Sequence, residues 1–270
     1  MKTTRKTLWV SGAAVLLAAG VIWTIMGRAQ GGQGAGQQPP PQRIIVGVTQ
    51  VRPDMIGTYE DLIKNIANPA LQKAGVPWRW TWATTSGQGF TRISVQPLAN
   101  YAQFDQPGAL QRGLGPEGVA NYNAKLRPTI ESTRNYVETL RQDLSILSGS
   151  STPPAFAVVQ VFQVAPGKGD EFTSSMTSDY LPNYRKAGVK DFWAYAVNFG
   201  APGGRIVTLR PIGKNAELDQ PGLLNRAGLT PEAAGQIGAR RAAVATVIDN
   251  EVVRFVPELS FGMPSVRATN

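Results

Sequence analysis

The chain has 270 residues, 42% of them hydrophobic and 17% charged, with 29 Gly and 20 Pro, enough apolar material for one large core or two small ones. It contains no Cys and no His, which excludes disulfides, thiolate nucleophiles, an imidazole base and the commonest zinc and haem ligand. The net charge is +9, but Lys2, Arg5, Lys6 and Arg28 stand in a leader without acids, so the mild excess left over argues against nucleic acid as a partner.

Residues 1–29 have the form of an export signal: a basic start, an apolar run over 8–26, and Gly27-Arg28-Ala29 offering small residues at the cleavage-specifying positions. The run of 19 apolar residues is also long enough to span a bilayer as a retained anchor, so the leader is either a cleaved signal or an anchor helix. Either way the expected location is outside the cytoplasm, with membrane contact only through residues 8–26. Residues 30–42 carry no hydrophobic side chain larger than Ala and read as a flexible Gly/Gln/Pro linker.

A first βαββαβ unit is predicted over 43–148. RIIVGVTQV (43–51) is β-branched and reads as a strand. A helix over 58–75 follows, ending at Gly75, with Pro69 expected to break or kink it. PWRWTWATT (77–85) and FTRISVQP (90–97) form a predicted hairpin. The DQPG segment reads as an irregular loop, Pro116-Glu117 opens a second helix of about five turns, and NYVETLR (135–141) closes the unit as a strand.

After a short linker (149–154) the same order of features returns over 155–261, leaving a tail at 262–270. FDQPGALQRGLGPE (104–117) is answered by LDQPGLLNRAGLTPE (218–232). Lys73 matches Lys186, Asp105 matches Asp219 and Pro116 matches Pro231, with a drift that two one-residue insertions in turns would produce. The expected class is therefore α+β: two tandem ferredoxin-like repeats, packed sheet to sheet.

Two such units, with Val164-Ala165-Pro166-Gly167 after the first strand, aromatic second strands and a terminal Asp-Leu-Ser or Glu-Leu-Ser, resemble the dimeric α/β-barrel superfamily. That superfamily includes NIPSNAP-like and antibiotic-biosynthesis-monooxygenase-like proteins. The resemblance covers about 43–261 and implies an intramolecular barrel, a monomer with an internal pseudo-dimer. Its haem branches rely on a proximal His, which this chain lacks, so no cofactor and no metal is expected.

Trp78, Trp80 and Trp82 alternate along one strand and share a face, matched by Asp191, Trp193 and Tyr195. Facing the barrel interior, they would line a pocket for a flat organic ligand; facing the helices, they would be core. Arg79, on the opposite face, would be costly under a helix, which favours the core reading. Asp105 and Asp219 precede Pro-Gly turns, with Arg112 and Arg226 further on. They are weak catalytic candidates as proton acceptors at a barrel mouth, and otherwise turn caps beside an ion pair. Arg92 and Arg205 lie on the third strands and could reach the interior. The expected function is binding of a small aromatic or apolar molecule, with a cofactor-independent monooxygenase or isomerase, or a structural module with a filled barrel, as alternatives.

Overall fold

The computed structural model describes residues 42–149 and 152–262. The predicted leader, most of the linker after it and most of the tail lie outside these residues. Among the described residues no helix is long and apolar enough to cross a membrane.

Eight antiparallel strands close into a barrel: β1 (Arg43–Val51), β2 (Trp80–Ser86), β3 (Thr91–Pro97), β4 (Ile130–Leu140), β5 (Phe156–Val164), β6 (Trp193–Phe199), β7 (Arg205–Ile212) and β8 (Ala245–Phe255). Within each half the spatial order is the ferredoxin-like one, β4-β1-β3-β2 and β8-β5-β7-β6. Each four-stranded sheet would leave two edges open. Here β2 pairs with β8, placing Trp82 opposite Phe255, and β4 pairs with β6, placing Leu140 opposite Tyr195. No edge is left to recruit another chain.

The helices lie outside the barrel. In the first half α1 (Ile56–Leu62) and α2 (Asn68–Lys73) are one continuous rod joined by a π turn over Ile63–Ala67. The second half repeats this with α4 (Gly169–Ser175), a π turn over Met176–Tyr180, and α5 (Leu181–Lys186). Pro69 was expected to break or kink the first of these helices, and Pro182 holds the matching place in the second; the π turns show how neither does. A helical proline has no N–H and crowds the carbonyl four residues back. In each rod the residue before it bonds five residues back instead, Asn68 N–H to Ile63 O and Leu181 N–H to Met176 O. The wider turn relieves the crowding.

The long helix α3 (Ala109–Leu126) differs from the sequence reading at both ends. It already starts at Ala109, and Gly115, at φ 74°, interrupts it so that Pro116 begins a fresh segment as expected. It is shorter than five turns after that point because Pro128 cannot continue it, and β4 begins at Ile130. The second half splits the same element into α6 (Leu223–Arg226) and α7 (Pro231–Ala242), the latter capped by Thr230 Oγ1 accepting from Ala233 N–H at 3.3 Å.

Alternation along the strands divides the core into three. Val51, Tyr59, Leu62, Ile63, Ala83 and Tyr122 fill the space between the first sheet and its helices. Phe162, Phe172, Met176, Tyr184, Phe192 and Ile206 do so in the second half. The third core is the barrel interior, where Ile44, Val46, Trp80, Trp82, Trp193, Tyr195 and Val253 meet.

The expectation that Arg79 would turn its own face away from the helices is overturned. Arg79 lies beneath them, donating from Nη1 to Asn68 Oδ1 at 3.1 Å, near Tyr59 and Tyr122. Burial lowers its pKa and raises those of both phenols, to about 12 for Tyr122. A polar nest of two phenols and an amide is what makes a cation tolerable there. The tryptophan face is thereby the interior one.

Candidate active site

The barrel interior is not filled. An open chamber of about 340 Å³ enters from the end where β1, β2, β5 and β6 finish, with Gln50, Gln88, Ser132, Arg134 and Asp249 at its mouth. A deeper chamber of about 90 Å³ follows, walled by Trp78, Trp80, Trp82, Trp193, Tyr195 and aliphatic strand residues. The larger volume lies within the range of small-molecule sites, about 300–1,000 Å³.

Glu138 belongs to both chambers, at the neck between them. It projects inward from β4, where Tyr136, Arg134 and Ser132 line the wall ahead of it with the two-residue period of a strand. The residue is 3% exposed. Burial pushes its carboxyl up to about 8, and the positive charge of Arg205 only partly opposes that. Tyr195, whose ring shares the deep chamber, is raised in turn, first by burial and then by Glu138.

Glu251, on β8, is the second buried acid of the wall. Its Oε1 accepts from Gln88 N–H at 3.0 Å and its Oε2 from Thr84 Oγ1 at 3.2 Å. These bonds tie the β2–β3 hairpin to the other half of the chain. Burial raises its pKa, while the Gln88 N–H pulls it back. Glu251 is thus engaged in structure and Glu138 is not.

The tryptophan floor is tightly made. Trp78 and Trp80 rings lie 4.5 Å apart, Trp80 and Trp82 meet edge to face at 6.1 Å, and Trp82 meets Phe255 at 5.5 Å. Trp82 Nε1 donates to Pro154 O at 3.3 Å. The Nε1 atoms of Trp80 and Trp193 are buried without an acceptor. Core and pocket, posed as alternatives in the sequence, are here the same surface: rings packed on one another, with faces turned to the chamber.

Of the other predicted site residues, Arg205 lines the open chamber and Arg92 does not. Arg92 points to the helices and pairs with Glu60, Nη2 to Oε1 at 2.6 Å. The halves explain the difference: Val48 is opposite Ile93 while Val161 is opposite Val207, so Arg92 and Arg205 stand one position apart in register and on opposite faces. Asp105 and Asp219 end 3-10 turns on the outer surface, exposed and away from the lumen. Nor do they pair with their arginines, since Arg112 donates to Pro107 O at 2.7 Å and Arg226 to Ala187 O at 3.1 Å. Asp143, without a visible partner in the sequence, pairs with Arg141 at 2.6 Å. Glu138, Tyr136, Arg134 and Glu251 escaped the sequence reading. The available signal was the alternation of Arg134, Tyr136 and Glu138 on one face of the closing strand.

Among the described residues no three acidic side chains gather as a metal site would need. The arrangement offers a buried carboxyl at Glu138, a guanidinium at Arg205 and an aromatic floor around an open space.

No protein-family model matches the sequence, and no curated protein matches it. Solved structures do match. An anthrone oxidase-like protein aligns with a TM-score of 0.54 at 14% identity, over 79% of this chain and 91% of its own. A candidate monooxygenase from Fusobacterium nucleatum aligns with a TM-score of 0.50 at 13% identity, over 80% of this chain and 93% of its own. At such identities the shared property is the fold, an eight-stranded α+β barrel.

Proposed function

We propose that the lumen is a reaction chamber for a small, flat, largely apolar molecule, and that Glu138 is its proton acceptor in a cofactor-independent oxygenase reaction. The observation that carries this reading is the place of Glu138: a carboxyl without a hydrogen-bond partner among the described residues, at the neck, its pKa pushed by burial up to about 8. A base tuned close to the working pH is what proton abstraction requires. Burying such a group costs folding free energy, and a chamber that only stored apolar molecules would have no use for it. The names of the two similar structures, one oxidase-like and one a candidate monooxygenase, support the same chemistry.

In this reading the Glu138 carboxylate takes a proton from an activated methylene or hydroxyl of an aromatic ketone or phenol. The electron-rich carbanion passes an electron to O2, the two radicals combine, and loss of water leaves the new carbonyl. For an anthrone, O2 is consumed mole for mole, with one oxygen atom kept by the quinone and the other released as water. The aromatic floor orients the rings, and the nearby Arg205 steadies the negative charge as it forms. An isomerase would use the same first step and return the proton elsewhere. The leader at 1–29 supports an exported protein, and the closure of the barrel within one chain supports a monomer.

Anthrone in air, supplied to the full chain, tests this. O2 uptake and quinone absorbance are expected, and Glu138→Gln should lower the rate by about 10²-fold or more. Equal rates from the two proteins would remove Glu138 from the reaction.

A further inference from the structure

Resting on that reading, we infer that the molecule the lumen takes is an aromatic anion, its carboxylate or ionised hydroxyl held by Arg205 on the wall of the open chamber and its ring laid on the tryptophan floor. Arg205 is the reason. Its Nε is buried with no acceptor. None of the ion pairs among the described residues includes it. A half-buried guanidinium whose Nε is covered and which has no ion-pair partner is an arrangement that a ligand anion would complete.

The chain's own acids do not fill that role. Glu251 spends its two oxygens on Gln88 and Thr84. Asp249 stands at the mouth, with β5 between its strand and β7, and makes no ion pair with Arg205 among the described residues. Glu138 is the nearest, yet it makes no ion pair with Arg205, and its burial keeps the carboxyl protonated through neutral pH. Arg134, exposed at the mouth and also outside every ion pair, adds a second positive charge along the approach. The two chambers therefore offer different contacts in sequence: the Arg205 and Arg134 guanidinia in the open one, aromatic rings at the floor. A neutral aromatic satisfies only the second, and an aliphatic anion only the first.

The test compares 2-naphthoate with 2-naphthalenemethanol, which have the same ring system and differ in charge, by quenching of tryptophan fluorescence in the full chain at pH 7. Naphthoate should bind roughly tenfold or more tightly, the value of one charge-assisted hydrogen bond. Arg205→Gln should bring the two within about twofold, and Arg205→Lys should keep part of the difference. Circular dichroism on each variant establishes that the fold persists, and the Lys variant decides the matter if the Gln variant does not fold. Equal binding of the two probes by the wild type, or an unchanged preference in Arg205→Gln, would overturn the inference. Binding of neither probe would overturn it too. The reaction reading stands or falls separately, because anthrone is uncharged and its turnover in Glu138→Gln is measured without regard to Arg205.

Discussion

Glu138 on β4 and Arg205 on β7 face the same lumen, with only β6 between their strands, and do not form an ion pair. Contact would have held the carboxyl ionised and depressed its pKa. Separation leaves burial dominant and the pKa raised to about 8.

This relationship makes stability depend on pH in a definite direction. Between about pH 4.5 and about 8 the folded protein keeps a proton on Glu138 that the unfolded chain has released. Raising the pH through that window therefore favours unfolding, by up to about 1.4 kcal/mol per pH unit, and the loss levels off above about 8. Denaturant melts at pH 5 and pH 9 should show it, and Glu138→Gln should flatten the dependence. An activity using the carboxylate as base should rise through the same range and plateau above about pH 8.

Trp82→Ala should cost about 3–5 kcal/mol although Trp82 belongs to the lumen wall. The ring is 3% exposed, meets Trp80 and Phe255 edge to face, and bonds Pro154 O. Thermal unfolding measures the loss. A variant within about 1 kcal/mol of wild type would mean that the neighbouring rings close over the gap.

Gly113→Ala should destabilise by about 1–3 kcal/mol, because a β-carbon at that point of α3 would run into the backbone carbonyl of Ala70 on α2. Gly203→Ala, where an added carbon meets nothing, is the control and should stay within about 0.5 kcal/mol. Paired denaturant curves separate the two.

Residues 43–148 expressed alone should self-associate. Without the second half, β2 and β4 become open edges and Trp80 and Trp82 lose the wall formed by Val253 and Phe255. Sedimentation should find dimers or larger species, and a soluble monomer would show that the half-barrel is self-sufficient.

The strands and their order were legible in the sequence because alternation and the twice-used DQPG motif are local signals. What could not be read was which face of each sheet met the lumen. Both faces of these strands are covered, so apolar residues such as Phe192 and Trp193 alternate with nothing polar to mark the outside. Arg79 misled for a related reason: the phenols and amide that accommodate it come from helices distant in sequence. Arg92 and Arg205 looked equivalent until strand register set them on opposite faces. Glu138 sits within a polar-apolar alternation that carries no mark of which face meets the lumen.

The closing of the barrel by unlike halves has a last consequence. On β4, Glu138 stands opposite Ile44 of β1, and the corresponding place on β8 holds Val253 opposite Ala157 of β5. A barrel of two identical chains would carry every lumen residue twice, and a bound molecule could enter in either of two poses related by the twofold axis, of the same energy. Here Glu138 and Arg205 are among the lumen residues without like counterparts, so the degeneracy is lifted. The cavity has two unlike sides, and only one orientation of a guest brings its reactive atom to Glu138.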